Sequence, residues 1–246
     1  MNRFFKKTKP DEIVKKLVVK LIMERSLVQE GDRILIAVSG GKDSSVLAWA
    51  LSSIRPALKI NYELAAVHIS TDFCACCKKS VLCQRLEEWN IPFTDIFVPV
   101  VGRLKEGEKM NCYWCSTQRR AELLNYAVEN GYNKIALGHH LDDIIETFFM
   151  NLCSKSMLLA MPILLKYRKY PVSLIRPLAL LEEKQIISCA AEQNILKAAC
   201  TCPYGQNSKR RDMRDRIAGF TGNDSGDIKR RILKALGSGE KDYLTE

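Results

Sequence analysis

The 246-residue chain has no run approaching about 18 uncharged apolar residues, the length a helix needs to cross a bilayer. Its opening residues, Met1-Asn2-Arg3-Phe4-Phe5-Lys6-Lys7-Thr8-Lys9-Pro10, lack the apolar segment of a secretory leader. Together these absences predict a cytosolic protein with no membrane partner. No internal repeat or low-complexity tract is present, and the 13 glycines and 8 prolines mark no long linker, which excludes fibrous and disordered classes. Acidic residues are in deficit. The 28 Asp and Glu face 38 Lys and Arg, and the resulting formal charge of +10 predicts a polyanionic partner, nucleic acid first.

Hydrophobic residues make up 47% of the chain, enough for a globular domain burying roughly 70–75% of its unfolded-chain surface without disulfide staples. Residues 11–28 place Ile13, Val14, Leu17, Val18, Leu21 and Ile22 at helical spacing and predict an amphipathic leading helix. Ile34-Leu35-Ile36-Ala37-Val38 is a short unbroken apolar run, the mark of a strand buried on both faces. Further strand candidates follow at Leu64–Ile69, Phe93–Val98, Lys134–Gly138 and Val172–Ile175. Helical patterns lie at Ser44–Leu51, Ser80–Trp89 and Arg119–Asn130, and another begins near Glu182. Strands alternating with helices imply βαβ crossovers, so the expected fold is α/β, a doubly wound and mostly parallel sheet. We expect an N-terminal helical segment over residues 1–32, a main domain over 33–202 and a basic C-terminal helical extension over 203–246.

Ser39-Gly40-Gly41-Lys42-Asp43-Ser44 falls between the first strand candidate and a helix. Two glycines let the backbone approach a ligand there, and the free N–H groups of a helix start attract phosphate. This is no Walker motif: no glycine lies five residues before the Gly-Lys pair, and Asp43 stands where that motif needs Ser or Thr. An ordinary glycine turn with a capping Ser or Asp would not require a lysine and two hydroxyls in the same six residues. The segment resembles the pyrophosphate loop of the PP-loop ATP pyrophosphatases, HUP-like proteins that split ATP between its α and β phosphates and adenylate a substrate. That resemblance implies ATP held by Ser39, Gly40, Gly41, Lys42, Asp43 and Ser44. Lys42 and Asp43 would be catalytic, with Lys42 offsetting charge on the departing pyrophosphate. It also implies adenine contacts by backbone groups near Ala37 and at His68–Ile69.

Gly138-His139-His140-Leu141-Asp142-Asp143 closes the fourth strand candidate and opens a helix. A helix cap explains one aspartate but not two. In open parallel sheets ligands bind beyond the carboxyl ends of the strands, so Gly138 and these aspartates should face the same crevice as the glycine loop. Asp142 is the expected ligand of Mg2+ on the triphosphate, or a proton-transfer group. His139 and His140 fit packing or solvent equally.

Ten cysteines in a reducing compartment are thiols, metal ligands or catalytic groups rather than disulfides. Cys112-Tyr113-Trp114-Cys115 puts two thiolates within reach of one metal, and Cys200 and Cys202 offer more. Four thiolates suit a closed zinc site and three suit a four-iron cluster with one iron open, so spacing alone leaves both standing. The wider pattern is Cys112-x-x-Cys115-Ser116-x-x-Arg119-Arg120, then KIALGHHLDD, IRPLALLEEKQI and a distal cysteine. It is similar to the tRNA 2-thiocytidine synthetase family across residues 30–218. The resemblance implies a [4Fe-4S] cluster held by Cys112, Cys115 and one later cysteine. We assign the third position to Cys202, with Cys200 in reserve, because this chain reads Ala199-Cys200-Thr201-Cys202 where the family has a second Cys-x-x-Cys. Cys74, Cys76 and Cys77 fall outside the family pattern and read as loop thiols.

The implied activity is ATP-dependent 2-thiolation of a tRNA cytidine, by adenylation of the base carbonyl and sulfur delivery from the cluster. The implied partners are tRNA and a sulfur donor, either a cysteine desulfurase or free sulfide, and a homodimer is compatible with the pattern. Lys6, Lys7, Lys9 and the C-terminal cations Lys209, Arg210, Arg211, Arg214, Arg216, Lys229, Arg230, Arg231 and Lys234 are expected to hold RNA by its phosphates. Three rivals stand beside this reading. A tRNA lysidine synthetase-like ligase needs no cysteine set. A uridine thiolase of the zinc-finger-bearing kind carries a Cys-x-x-Cys that residues 1–30 lack. A non-enzymatic iron–sulfur or zinc RNA-binding redox module would release no pyrophosphate.

Overall fold

The computed structural model describes residues 8–73, 79–195, 204, 209–222 and 225–238. In chain order the elements are α1 (Pro10–Arg25), β1 (Asp32–Ala37), α2 (Lys42–Ser53), α3 (Arg55–Leu58), β2 (Tyr62–Thr71), α4 (Lys79–Glu88), β3 (Phe93–Val98) and α5 (Cys112–Glu129). Then follow β4 (Lys134–Ala136), α6 (Leu141–Lys155), β5 (Leu164–Lys166), β6 (Ser173–Ile175), α7 (Glu183–Glu192), α8 (Lys209–Thr221) and α9 (Ser225–Ser238). Pro10 opens α1 at the first helical position, where its missing N–H costs nothing.

The unbroken apolar runs are explained by burial on both faces. Alternation along β1 sends Ile34 and Ile36 into one core and Leu35 into another, and β2 does the same with Leu64 and Ala66 against Ala65 and Val67. The first core is closed by Val14 and Val18 of α1, Leu47 and Leu51 of α2, Leu86 of α4 and Ile186 of α7. The second is closed by Leu123, Leu124 and Ala127 of α5. Helices thus cover both faces of one six-stranded sheet of order β3-β2-β1-β4-β6-β5. All neighbouring pairs are parallel except β5 with β6. This is the doubly wound α/β fold expected from the sequence.

Three features differ in detail from expectation. β5 was not anticipated: three residues, Leu164-Leu165-Lys166, are too few to show a period, and only pairing with β6 makes them a strand. α5 begins at Cys112, seven residues before the predicted start. Asn111 caps it by accepting the Trp114 N–H (2.9 Å), so the Cys-x-x-Cys lies on a helical first turn. The basic C-terminal helices pack on α6, where Ile217, Ile232 and Leu233 meet Leu141, Ile145 and Phe149. None of the described helices is long and apolar enough to cross a membrane.

Candidate nucleotide and thiolate site

The chain runs outward from β1 through β2 and β3, then returns to place β4 on the other side of β1. The loops leaving the carboxyl ends of β1 and β4 lie side by side at the end of the sheet where ligands bind in open parallel sheets. Those two loops carry the two motifs of the sequence, 38–41 and 137–140.

The first loop is organised by its own hydroxyls. Ser44 Oγ accepts the Ser39 N–H (3.1 Å) and donates to the Gly41 carbonyl (3.1 Å), while the Gly41 N–H donates to Ser39 Oγ (3.3 Å). Gly40 has φ +78°, a left-handed turn that glycine makes without strain. Gly41 then caps α2 with no side chain to bond the first-turn N–H groups, which leaves a helix start suited to an anion. The second loop rests on that start. A Cβ on Gly138 would stand 2.9 Å from Ser44 N and 3.0 Å from the Asp43 carbonyl carbon, so only glycine allows the approach.

A cavity of about 400 Å³, within the range of small-molecule sites, opens between these loops and α5. Ala37, Val67, Ile69 and Leu137 give it an apolar side suited to a nucleobase. Ser39, Asp43, Ser44, Gly138, His139 and Asp143 supply its polar side, and Ser116, Arg119 and Arg120 of α5 form the opposite wall. The fit to a nucleotide is that of an anion cradle joined to an apolar slot. Asp43 Oδ1 is a buried oxygen that receives no aligned hydrogen bond, although Lys42 Nζ is 3.1 Å away, and it offers a cation a ligand.

Of the residues singled out from the sequence, Ala37, Ser39, Asp43, Ser44 and Gly138 line this cavity, and Gly40 and Gly41 form the turn beside it. His68 is buried with Nδ1 2.7 Å from the Val38 carbonyl, so Val67 and Ile69 face the space and His68 braces the strand ends. Asp143 lines the cavity and Asp142 does not. Cys112 is exposed and Cys115 half-buried on the first turn of α5, one helical step apart, and the Trp114 indole anchors that turn by donating to the Val100 carbonyl (3.0 Å). Two thiols on one helix face fit a metal held jointly with a third ligand from elsewhere. Cys202, Cys200, Cys74, Cys76 and Cys77 lie outside the described residues. Tyr204, two positions after Cys202, has its carbonyl 3.9 Å from Cys112 Sγ and its ring edge-on to Phe73 at 5.5 Å.

Residues 10–217 match the family model of the PP-loop domain. The chain belongs to the PP-loop family. Within it, the chain groups with the 2-thiocytidine synthetase-like proteins. The tRNA-cytidine(32) 2-sulfurtransferase of Syntrophotalea carbinolica is 32% identical over 250 residues, spanning 100% of this chain and 93% of that one. Its counterpart in Geobacter sulfurreducens is 32% identical over 238 residues (95% and 92%), and that of Methylococcus capsulatus 37% identical over 211 residues (82% and 71%). Among solved structures, the U34-tRNA thiolase NcsA from Methanococcus maripaludis with its [4Fe-4S] cluster superposes with a TM-score of 0.74 at 23% identity, covering 93% of this chain and 79% of that one. NMN synthetase from Francisella tularensis reaches 0.56 at 15% identity, covering 95% of each. Both share the fold.

An ionic network ties the PP loop to α6, α7, α8 and α9. Lys42 Nζ reaches Glu183 Oε1 at 2.8 Å; burial works against its charge, but the bonds to Glu183 and Asp43 outweigh that and raise the ammonium above its ordinary range. His140, 2% exposed, stands among three carboxylates, 3.4 Å from Asp142, 3.4 Å from Asp143 and 4.0 Å from Asp43. Asp142 also accepts the Glu183 N–H (2.7 Å) and Lys229 Nζ (2.5 Å). Burial opposes its ionisation, yet His140, Lys229 and the Glu183 N–H together hold it well below the usual carboxylate range. Sequence reading missed Glu183 and gave Lys229 to RNA rather than to Asp142, because no local pattern marks either as a partner of these loops.

Four of the C-terminal cations expected on RNA are engaged by this network. Arg210 pairs with Asp143 (3.6 Å), Arg214 with Glu146 (2.6 Å), Lys229 with Asp142 and Arg230 with Glu182 (3.3 Å). Arg216, Arg231 and Lys234 are exposed, whereas Lys6 and Lys7 lie outside the described residues.

The two histidines beside the PP loop are driven in opposite directions. Burial pushes His139 down to about 4, with Arg176 adding to the effect, and His139 Nδ1 accepts Arg176 Nε (3.3 Å). For His140 burial is the largest influence, but the Asp142 bond and the Asp143 and Asp43 charges outweigh it and raise the ring above its usual value. The fold prefers neutral His139, so acidification from 6.5 towards 4 lets the unfolded state bind a proton that the native state refuses, and stability is lost there. His140 contributes the other way, fully below 6.5 and less as pH rises through its raised value. Ring 15N titration should find His139 neutral and His140 protonated at about pH 5. A His139 midpoint near 6.5 would contradict the buried pairing with Arg176.

Proposed function

We propose that this PP-loop protein acts in the cytoplasm, thiolating a tRNA cytidine at position 2. It uses ATP to adenylate the base, and three thiolates hold a [4Fe-4S] cluster. The enzyme class, tRNA sulfurtransferase, is that of the relative from Syntrophotalea carbinolica that matches the whole chain. One observation carries the reading: the wall shared by thiols and nucleotide cavity. α5 bears Cys112 and Cys115 on its first turn, and Ser116 and Arg119 line the cavity that Ser39, Ser44 and Gly138 also line. From Cys115 to Arg119 the helix rises about 6 Å, so an activated base and incoming sulfur can meet in one crevice.

A pyrimidine carbonyl oxygen is a poor leaving group. Attack of that oxygen on the α phosphate of ATP forms a new P–O bond, breaks the α–β bridge and turns the oxygen into part of a departing AMP. The N–H groups at the start of α2 and the Ser39 and Ser44 hydroxyls are placed to hold the pyrophosphate, and Lys42, kept charged by Glu183 and Asp43, offsets its growing charge. Asp43 and Asp143 would hold Mg2+, which neutralises phosphate charge. Asp142 positions His140 and α9 from behind. Cys112, Cys115 and Cys202 would hold the cluster, which would supply sulfide-level sulfur, drawn from a cysteine desulfurase or free sulfide, for a C–S bond at the activated carbon as the C–O bond breaks and AMP leaves.

Anaerobically purified protein should contain iron and acid-labile sulfide and should convert unmodified tRNA to a product whose digest contains 2-thiocytidine, only with ATP and magnesium. Lys42→Ala should lower that yield by at least about 100-fold, the scale of removing one preorganised group from a site of developing charge. A zinc-loaded protein that releases no pyrophosphate would overturn the proposal.

A further inference from the structure

The cations of the crevice fall into two sets. Lys42, Arg210, Arg214, Lys229 and Arg230 each face a carboxylate. Arg119 and Arg120, on the α5 wall of the cavity, have no carboxylate partner among the described residues, and Arg119 Nε is buried without any acceptor. Behind them Arg176 is 7% exposed and bonds only neutral groups, the Pro162 carbonyl (2.5 Å) and His139 Nδ1 (3.3 Å). Burial opposes its charge more than Tyr167 favours it, and of the nearby charges Arg120 repels it while Asp143 attracts it. Guanidinium groups gathered at open space with no ion pair of their own among the described residues suit an anion brought from outside, and their planar forks match phosphate oxygens two at a time. His139 adds to the arrangement. Accepting from Arg176 at Nδ1 leaves its proton on Nε2, so a neutral ring gives the cavity wall one more donor.

We infer that Arg119 and Arg120, backed by Arg176, form a second phosphate subsite, separate from the PP loop, that takes a backbone phosphodiester of the RNA strand whose base enters the cavity. The inference rests on the tRNA reading above. The pyrophosphate already has the PP loop, whose Ser39, Asp43 and Ser44 line the space from another element, with Lys42 next to them in the chain. α5 is instead the helix of Cys112 and Cys115, where the target base must stand, and Arg120 is exposed enough to reach a strand at the rim. RNA bases read by proteins are splayed out of loops, which draws the attached phosphates to the mouth of the pocket. With four of the C-terminal cations paired, this cluster on the cavity wall is the better placed electrostatic contact for the entering base's phosphate.

Titration of an unmodified tRNA transcript, and separately of ATP with magnesium, should be compared between the wild-type holoprotein and Arg119→Gln/Arg120→Gln over a range of salt. The variant should bind tRNA about tenfold more weakly, and the slope of log affinity against log salt should flatten by about 1.4, two single-strand contacts of about 0.7 each. Its ATP affinity should be unchanged. An equal loss of ATP affinity would assign the arginines to the nucleotide, and unchanged tRNA affinity and slope would make them structural; either result overturns the inference. If the double variant fails to fold, Arg120→Gln alone, at an exposed position, should flatten the slope by about 0.7. The two readings fail separately. Wild-type protein that neither binds nor thiolates tRNA refutes the enzyme, whereas active wild type with a fully binding variant refutes only the subsite.

Discussion

Cys112→Ala is expected to remove thiolated nucleoside from tRNA digests, by at least about 100-fold or 2.7 kcal/mol on the barrier, while the protein stays folded and still binds ATP. The Cys112 side chain is exposed, its polar contact among the described residues is the distant Tyr204 carbonyl, and it belongs to neither large core. A surface change of this kind shifts stability by no more than about 0.5 kcal/mol. Loss of activity would therefore report ligation and not unfolding, and iron content should fall with it. Normal thiolation by the alanine variant would remove the cluster from the mechanism.

Gly138→Ala should act on the other half of the site and on the fold together. The new methyl group would meet backbone on every side, Ser44 N at 2.9 Å and the Ser44 Cα and Asp43 carbonyl carbon at 3.0 Å. No flexible side-chain end is available to swing away, so the second loop must retreat from the start of α2. Overpacking of this sort costs about 1–3 kcal/mol, and displacement of the PP loop should weaken ATP binding at least about tenfold. Gly41→Ala is the contrast, because its methyl group meets only the rotatable Ser39 hydroxyl, at 3.3 Å. Calorimetric titration with ATP and denaturant midpoints for both variants would separate the two cases. Equal, mild effects would mean that the loops are not in firm contact.

The sheet was legible because its strands are unbroken apolar runs, and the two ligand loops because glycine and charge sit at the ends of those runs. β5 escaped because an edge strand of three residues has no period of its own and takes its identity from β6. The division of labour between Asp142 and Asp143 could not be read from adjacent letters. It depends on Lys229 and the Glu183 N–H arriving from elements 87 and 41 residues away to occupy Asp142. The same holds for the basic C-terminus, whose composition suggests RNA until Asp143, Glu146 and Glu182 are seen opposite its cations. Long-range pairing of charge leaves no local pattern, whereas Asn111 before the Cys-x-x-Cys was a local signal for an earlier start to α5.

The pairing of β1 with β4 also constrains how the protein is born. Ile34 lies beside Lys134, one hundred residues later, and the loops that follow these strands touch through Gly138 and Ser44. A nascent chain can finish the PP loop early, but it has nothing to close against until the ribosome has delivered β4 and the turn beyond it. Closing so long a loop is slow, and domains generally complete folding as units during synthesis. A chain ending before β4 is therefore expected to bind ATP more weakly than the finished protein.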